Sequence, residues 1–257
     1  MVVGLAVYYL ERCDTNHPER IIPEEIPEGI LALHLKRYQF ACSYVDGKDV
    51  LDLACGVGYG SLHLAAIGKS VVGADIDMSA ISYAQQHYRA RDNLSFIQAD
   101  AMRTGFAESQ FDVICSFETI EHMRDPNAFL GEIKRVLTPG GVFIVSTPRV
   151  TRSDSRPDNP YHFQEWNVLD FQRLISGYFK NVEIFGQFRM ETSVSRWLKR
   201  LDVLKLRKWL LPLWVIRRAA HASGVRATPD LHLEDICIRS GDLGKASEIV
   251  AVASDEN

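Results

Sequence analysis

Val50-Leu-Asp-Leu-Ala-Cys-Gly-Val-Gly-Tyr-Gly-Ser61 is the stretch on which the reading of this chain turns. Val50, Leu51 and Leu53 are β-favouring apolar residues interrupted by Asp52, and they run into Gly56, Gly58 and Gly60. Ser61 to Gly68 then reads as helix, so the pattern is strand, glycine turn, helix. Glycine suits such a turn because the chain reverses tightly, and because a missing Cβ lets a ligand lie against the backbone. The start of the helix beyond offers N–H groups suited to an anionic group. The spacing differs from the dinucleotide fingerprint G-x-G-x-x-G, and Asp52 in the strand points to another ligand.

Downstream the pattern repeats. Ser70-Val-Val-Gly-Ala-Asp75 is a short apolar strand ending in an acid about 20 residues beyond the loop, where a carboxylate meets ribose hydroxyls in nucleotide-binding βαβ units. Asp75 would accept two hydrogen bonds from a diol, with Ile76 against the base. The competing role, N-cap of a helix Met78 to Ala90, can be served by Asp77. Leu94 to Asp100 gives a third strand with a terminal acid, followed by Ala101. Phe111 to Phe117 is a fourth, nearly continuous in apolar residues, as a strand buried on both faces should be.

Glu118-Thr-Ile-Glu-His122 comes next, and Pro126 to Leu137 reads as a helix with proline in its first turn and Asp125 as cap. Thr138-Pro-Gly-Gly141 stops that helix, and Val142 to Thr147 is a fifth strand. Residues 148–166 form a proline-bearing loop ending Asn159-Pro-Tyr-His-Phe-Gln-Glu-Trp166. A helix near Val168 to Tyr178, a strand Val182 to Gln187 and a closing strand Glu248 to Ala253 follow. Alternation of β and α with short turns implies right-handed crossovers and a parallel, doubly wound sheet. Asp52, Asp75 and Asp100 then mark the carboxyl ends of three strands, where the ligand crevice of an open α/β sheet lies.

Upstream of the glycine loop, residues 11–27 carry Pro18, Pro23 and Pro27, spaced too closely for a long helix. From Glu28 to Tyr44 the apolar residues recur near helical spacing, so a helix precedes the sheet. The 257 residues, 46% hydrophobic and 24% charged, suffice for one α/β domain with a sizeable insertion. A net charge of −4 gives no global pull toward nucleic acid. The five cysteines are odd in number and show no C-x-x-C spacing, which argues against a disulfide framework or a zinc site and fits a reducing, cytoplasmic setting. Met1 to Leu10 is apolar but falls short of the roughly 18 residues of a membrane span and lacks a basic flank, so it reads as mature sequence.

Asp52-Leu-Ala-Cys-Gly-Val-Gly58 resembles the acidic-x-Gly-x-Gly-x-Gly signature of class I S-adenosylmethionine (SAM)-dependent methyltransferases, with Ala54 standing where that family usually has its first glycine. The resemblance runs in order through the acids to Ser146. With Glu19-Arg20, His34, Arg37-Tyr38, Phe117-Glu-Thr-Ile-Glu-His122 and Asn159-Pro-Tyr-His162, the chain looks like bacterial members linked to surface-glycan or natural-product pathways. The resemblance implies a Rossmann-like seven-stranded sheet whose last two strands form an antiparallel hairpin at the edge. It assigns SAM to Asp52, Ala54, Gly56, Gly58, Asp75, Ile76, Asp100, Ala101 and Phe117. The glycine loop would take the methionine end, Asp75 the ribose, Asp100 and Ala101 the adenine, and the Phe117 backbone the amino group.

The expected organisation is an N-terminal cover and helix (1–46), a SAM-binding domain (47–190 with 247–257) and a helical insertion or lid (191–246). Within the insertion, Arg196 to His221 carries eight Lys or Arg against the single acid Asp202, with Trp197, Trp209 and Trp214 interleaved. Such a helix is either a lid packed on the core or a surface for an anionic membrane or lipid-carried acceptor. The location expected is therefore cytoplasmic, with peripheral contact at the inner membrane face.

For catalysis the candidates are His122, Glu121 and His162. An in-line displacement at a sulfonium methyl needs alignment and a deprotonated nucleophile. His122, beyond the fourth strand, suits the task because an imidazole titrates near pH 6.5. If Glu118 to Met123 were helical, Glu118, Glu121 and His122 would share a face, with His162 arriving on a neighbouring loop. Such a set could hold a divalent metal, although a metal-free base is the preferred expectation. The function expected is O-methylation of a small-molecule or glycan acceptor with release of S-adenosylhomocysteine (SAH). The alternatives are a metal-dependent RNA 2′-O-methyltransferase, whose E-x-x-E-H pattern is similar, and a non-catalytic SAM-binding partner protein.

Overall fold

The computed structural model describes residues 20–88, 91–190 and 231–255. The strands are β1 (Asp49–Leu53), β2 (Ser70–Asp75), β3 (Leu94–Gln98), β4 (Phe111–Phe117), β5 (Leu137–Pro148), β6 (Asn181–Arg189), β7 (Ile236–Arg239) and β8 (Glu248–Ser254). The helices are α1 (Glu28–Ala41), α2 (Tyr59–Leu64), α3 (Met78–His87), α4 (Pro126–Val136) and α5 (Val168–Ser176). The sheet order is β3-β2-β1-β4-β5-β8-β6-β7. The first five strands pair in parallel, while β8 runs antiparallel to both β5 and β6.

Strand periodicity divides the core into two layers. Along β1, Leu51 and Leu53 pack on one face with Ile114, Phe129, Ile133, Phe143 and Phe171, beneath α4 and α5. Val50 faces the other way and joins Tyr38, Leu64, Ile81, Val113 and Ile144, beneath α1, α2 and α3. Three of these helices start where a side chain supplies a cap. Asp77 accepts from Ser79 N–H at α3, Asp125 from Asn127 and Ala128 at α4, and Asn167 from Asp170 at α5.

The doubly wound sheet is as expected, with three differences. An eighth strand, β7, lies within the stretch read as insertion and pairs antiparallel with β6, so β7 takes the edge that the β6 and β8 pair was expected to occupy. The helix after the glycine loop is only six residues, Tyr59–Leu64. Thr138 to Gly141 belong to β5, with a register shift between Phe111 and Val113 where β4 meets it. The N-terminal segment 1–19 and the basic stretch 196–221 lie outside the described residues.

Candidate active site

The carboxyl ends of β1 to β4 open into a cavity of about 570 Å³, within the range typical of a small-ligand pocket. Its first half is built by the glycine loop. Ala54, Gly56 and Gly58 have φ of 62°, 56° and 84°, so three alternate residues are left-handed. Ala54 therefore adopts the backbone that a glycine would take there without strain. A Cβ on Gly56 would meet nothing within 4 Å, because that side of the residue faces the cavity.

Asp75 closes the loop from the next strand. Its Oδ2 accepts from Gly56 N–H at 2.8 Å and its Oδ1 from Asp77 N–H at 2.9 Å. Asp77 caps α3 and pairs with Arg20, so the cap role falls to Asp77 and not to Asp75. Ile76, 63% exposed, stands on the cavity rim. Opposite are Ala99, Asp100, Ala101 and Phe117, with Asp100 turned back to accept from Met102 N–H at 2.9 Å.

Of the residues assigned to the cofactor by sequence, Ala54, Gly56, Asp75, Ile76, Asp100, Ala101 and Phe117 line this half. Asp52 and Gly58 do not. Asp52, 1% exposed, accepts from Ser61 Oγ at 2.6 Å and Tyr38 Oη at 3.3 Å, and burial pushes its carboxyl up to about 7. It ties α1 and α2 to β1 from beneath the loop. Gly58 is packed under Phe96 and Ala84, where a Cβ would come within 2.5 Å of the phenyl ring.

The second half follows β4. The helix over Glu118 to Met123 that a shared face would require is absent, because Glu118 is left-handed, with φ 50°, and only Ile120–His122 forms a 3-10 turn. Glu118 thereby leaves the shared face. Its N–H donates to the Ser146 carbonyl and its Oε1 accepts from Ser146 Oγ at 2.7 Å. Glu121 turns inward, 1% exposed, with Oε2 accepting from Thr147 Oγ1 at 3.0 Å and no hydrogen-bond partner for Oε1. Burial, and then the charge of Glu118, push its carboxyl well above the ordinary range.

His122 lines the cavity, with Nδ1 2.9 Å from the Tyr161 carbonyl oxygen. A carbonyl only accepts, so Nδ1 carries the proton and Nε2 the lone pair in the neutral ring. His162 lies behind it, the two rings edge to face at 4.9 Å. Its Nδ1 meets Glu165 Oε1 at 2.7 Å and its Nε2 meets Asn159 Nδ2 at 3.0 Å. The backbone of Phe163 donates to the Glu121 carbonyl at 2.8 Å, pinning this loop to the 3-10 turn. One ligand atom from each of Glu121, His122 and His162 lies within 4.8 Å of the others, whereas Glu118 is not part of that group. Glu121 and His162 are not among the cavity-lining residues, so His122 alone of the three presents to it.

Sequence reasoning missed Cys55, Tyr59, Met102, Met123 and Arg124, all in the cavity wall. Arg124 lies over the Phe163 ring at 4.7 Å, a contact between distant segments that spacing does not show.

The residues present fit SAM. A glycine with an open Cβ direction, an acid for the ribose, and an exposed Ile76 for the adenine line one continuous cavity. The sheet order and the cavity at its carboxyl ends have the architecture of the class I SAM-dependent methyltransferase fold. Residues 51–145 match the methyltransferase domain family. A probable S-adenosylmethionine-dependent methyltransferase of Mycolicibacterium smegmatis is 35% identical over 161 residues, covering 61% of this chain and 62% of that protein. The chain thus spans less than two thirds of that relative's length. By structure it is similar to a Thermotoga maritima SAM-dependent methyltransferase, with TM-score 0.60 and 13% identity over 88% of this chain and 93% of that one. The [4+2]-cyclase SpnF is similar too, at TM-score 0.56 and 18% identity over 88% and 82%. These two likenesses concern the fold alone.

Proposed function

We propose that the protein transfers the methyl group of SAM to a hydroxyl of a small-molecule or glycan acceptor and releases SAH. The observation that carries this reading is His122, which lines the cavity with Nδ1 2.9 Å from the Tyr161 carbonyl oxygen, a contact that in the neutral ring places the proton on Nδ1 and the basic nitrogen at Nε2. SAM supplies an electrophilic methyl whose leaving sulfur is activated by its positive charge. Asp75 holds the ribose, Asp100 and Ala101 flank the adenine, and the Phe117 backbone meets the amino group. His122 removes the acceptor proton at Nε2 as the acceptor oxygen aligns with the methyl. Glu121, whose carboxyl is pushed well above the ordinary range by burial and then by the Glu118 charge, and His162 support the His122 turn from behind.

Within this reading the basic stretch 196–221 contacts an anionic acceptor, its lipid carrier or a membrane surface, and the chain works at the cytoplasmic side. No helix among the described residues is long and apolar enough to cross a membrane. Replacing Arg196, Lys199 and Arg200 with Gln is expected to leave SAM affinity alone and to reduce turnover or salt-dependent binding to anionic vesicles. Unchanged values for both make the segment a lid only.

The experiment for the central reading is SAH release from SAM in the presence of hexosides, hydroquinones and medium-chain fatty acids, with the methylated atom located by mass spectrometry. Retention of intact SAM against every acceptor favours a SAM-binding partner protein instead. A second reading is favoured by one observation, the approach of Glu121, His122 and His162 ligand atoms within 4.8 Å. A divalent ion there would lower the pKa of an acceptor hydroxyl. This includes the RNA 2′-hydroxyl alternative, which the net charge of −4 disfavours.

A further inference from the structure

His34 lies on α1 one helical turn before Tyr38, and it lines the cavity. Its Nδ1 is 2.9 Å from Nη2 of Arg37. A guanidinium has five N–H donors and no acceptor, so His34 Nδ1 must be the lone-pair nitrogen. The proton of the neutral ring therefore sits on Nε2. Arg37 is 1% exposed, with the acids Glu118 and Glu248 and the phenols Tyr38 and Tyr59 as its charged or titratable neighbours. Its Nε has no hydrogen-bond partner among the described residues.

Burial, and then the Arg37 charge, hold the His34 ring well below the ordinary imidazole range, which keeps it uncharged. Because Nδ1 is turned to the buried guanidinium, the Nε2–H edge is the one left for the cavity. His34 thus turns a donor edge from α1 to the same cavity that His122 lines from the turn after β4.

We propose that His34 is a tautomer-locked hydrogen-bond donor which binds a lone-pair oxygen in the cavity, and that Arg37 is the positioning residue that fixes it. The site accepts a carboxylate, carbonyl or deprotonated hydroxyl oxygen and disfavours a protonated amine. The inference rests on the methyltransferase reading only in taking the cavity to hold cofactor and acceptor. Two sources of that oxygen share the chemistry, the carboxylate of the cofactor's amino-acid end and an oxygen of the acceptor.

Nitrogen-15 imidazole NMR on the full chain tests the lock without turnover. The expected result is a neutral Nε2–H ring for His34 from about pH 6 to 8. Arg37→Lys, which retains a cationic donor, keeps that tautomer, and Arg37→Met yields a mixture of tautomers. Ligands then separate the sources. If the cofactor supplies the oxygen, SAH moves the His34 Nε2 resonance while 5′-methylthioadenosine, which lacks the amino-acid end, does not. His34→Phe then weakens SAH by about tenfold and leaves methylthioadenosine unchanged. If the acceptor supplies it, SAH leaves the resonance in place, and acetate added to the SAH complex as an oxygen probe moves it. An Nδ1–H or cationic ring at neutral pH overturns the proposal, and so does an Nε2 resonance that neither SAH nor acetate shifts. Failure of the acceptor screen with the lock intact would count against the methyl-transfer reading alone.

Discussion

The Gly56 backbone N–H donates to Asp75 Oδ2 at 2.8 Å, so the acid that ends β2 is joined to the glycine loop that ends β1. The same carboxylate accepts from Asp77 N–H at 2.9 Å. A carboxylate has about four lone-pair sites, so these two amides do not exhaust its capacity to accept. Asp75 is therefore part of the loop's frame as well as the proposed ligand for the ribose.

Asp75→Ala should weaken SAH binding by at least about 100-fold, since two charge-assisted bonds of about 1.5 kcal/mol or more are lost. Calorimetry on a folded mutant measures it, with circular dichroism as the control for folding. Wild-type affinity would remove the ribose assignment.

Left-handed Ala54 makes a stability prediction of unusual sign. Ala54→Gly should raise stability, because relief of left-handed strain, about 1–2 kcal/mol, exceeds the entropic cost of a glycine, about 0.5–1 kcal/mol. Gly58→Ala should lower it by about 2 kcal/mol or more, because a Cβ would meet the Phe96 ring at 2.5 Å and Ala84 at 2.8 Å. Urea unfolding of the two variants decides; a destabilised Ala54→Gly would show that the methyl group makes contacts worth more than the strain.

His122→Ala should reduce turnover by roughly 10²- to 10⁴-fold with SAM affinity kept, the loss expected when a general base is removed. Wild-type activity should survive chelation. Activity lost to a chelator and restored by Mg²⁺ or Mn²⁺ assigns Glu121, His122 and His162 to a metal, and a fully active His122→Ala excludes both roles.

Glu132 links α4 to the segment after β3. Its Oε1 accepts from the Thr104 N–H at 2.8 Å and Oγ1 at 2.5 Å, and Arg135 donates to both of its oxygens. The Arg135 hydrogen bond, first among the causes, holds the carboxyl down at about 2 against an ordinary 4.5. A lowered acid stabilises the fold fully above its unfolded pKa and stops doing so as pH falls through its folded one. Glu132→Gln should thus be less stable by about 1–3 kcal/mol at neutral pH, a gap that narrows below pH 4.5 and closes near pH 2. A gap that stays constant with pH would mean that the charge on Glu132 is not what matters.

The elements most legible in the sequence were those with an unbroken apolar run and a polar stop. The strands Ser70–Asp75 and Phe111–Phe117 have the bounds their residues suggest, because Asp75 and Glu118 end runs buried on both faces. The strand β7 was hidden, since Ile236 to Arg239 is four residues long and becomes a strand only by pairing with Phe188 and its neighbours. Asp52 and Gly58 looked like ligands because the motif places them beside the loop. Their packing against Tyr38 of α1, Ser61 of α2 and Phe96 of β3 forms only when those elements close on the loop. The stretch Glu118 to His122 misled for a local reason: i, i+3, i+4 spacing means one face only if the backbone is helical, and a left-handed Glu118 breaks that premise.

The strand β8 is late in the chain, yet it sits between β5 and β6. During synthesis, therefore, β1 to β5 can assemble as they emerge, but the outer edge of β5 has no partner until Glu248 to Ser254 arrives, and β6 and β7 cannot join the sheet before it. From the emergence of β5 until that of β8, the exposed flank of β5 is open to pairing with another nascent copy. Slowed translation across residues 190 to 247 should accordingly increase aggregation in the cell, even though it leaves the finished protein unaltered.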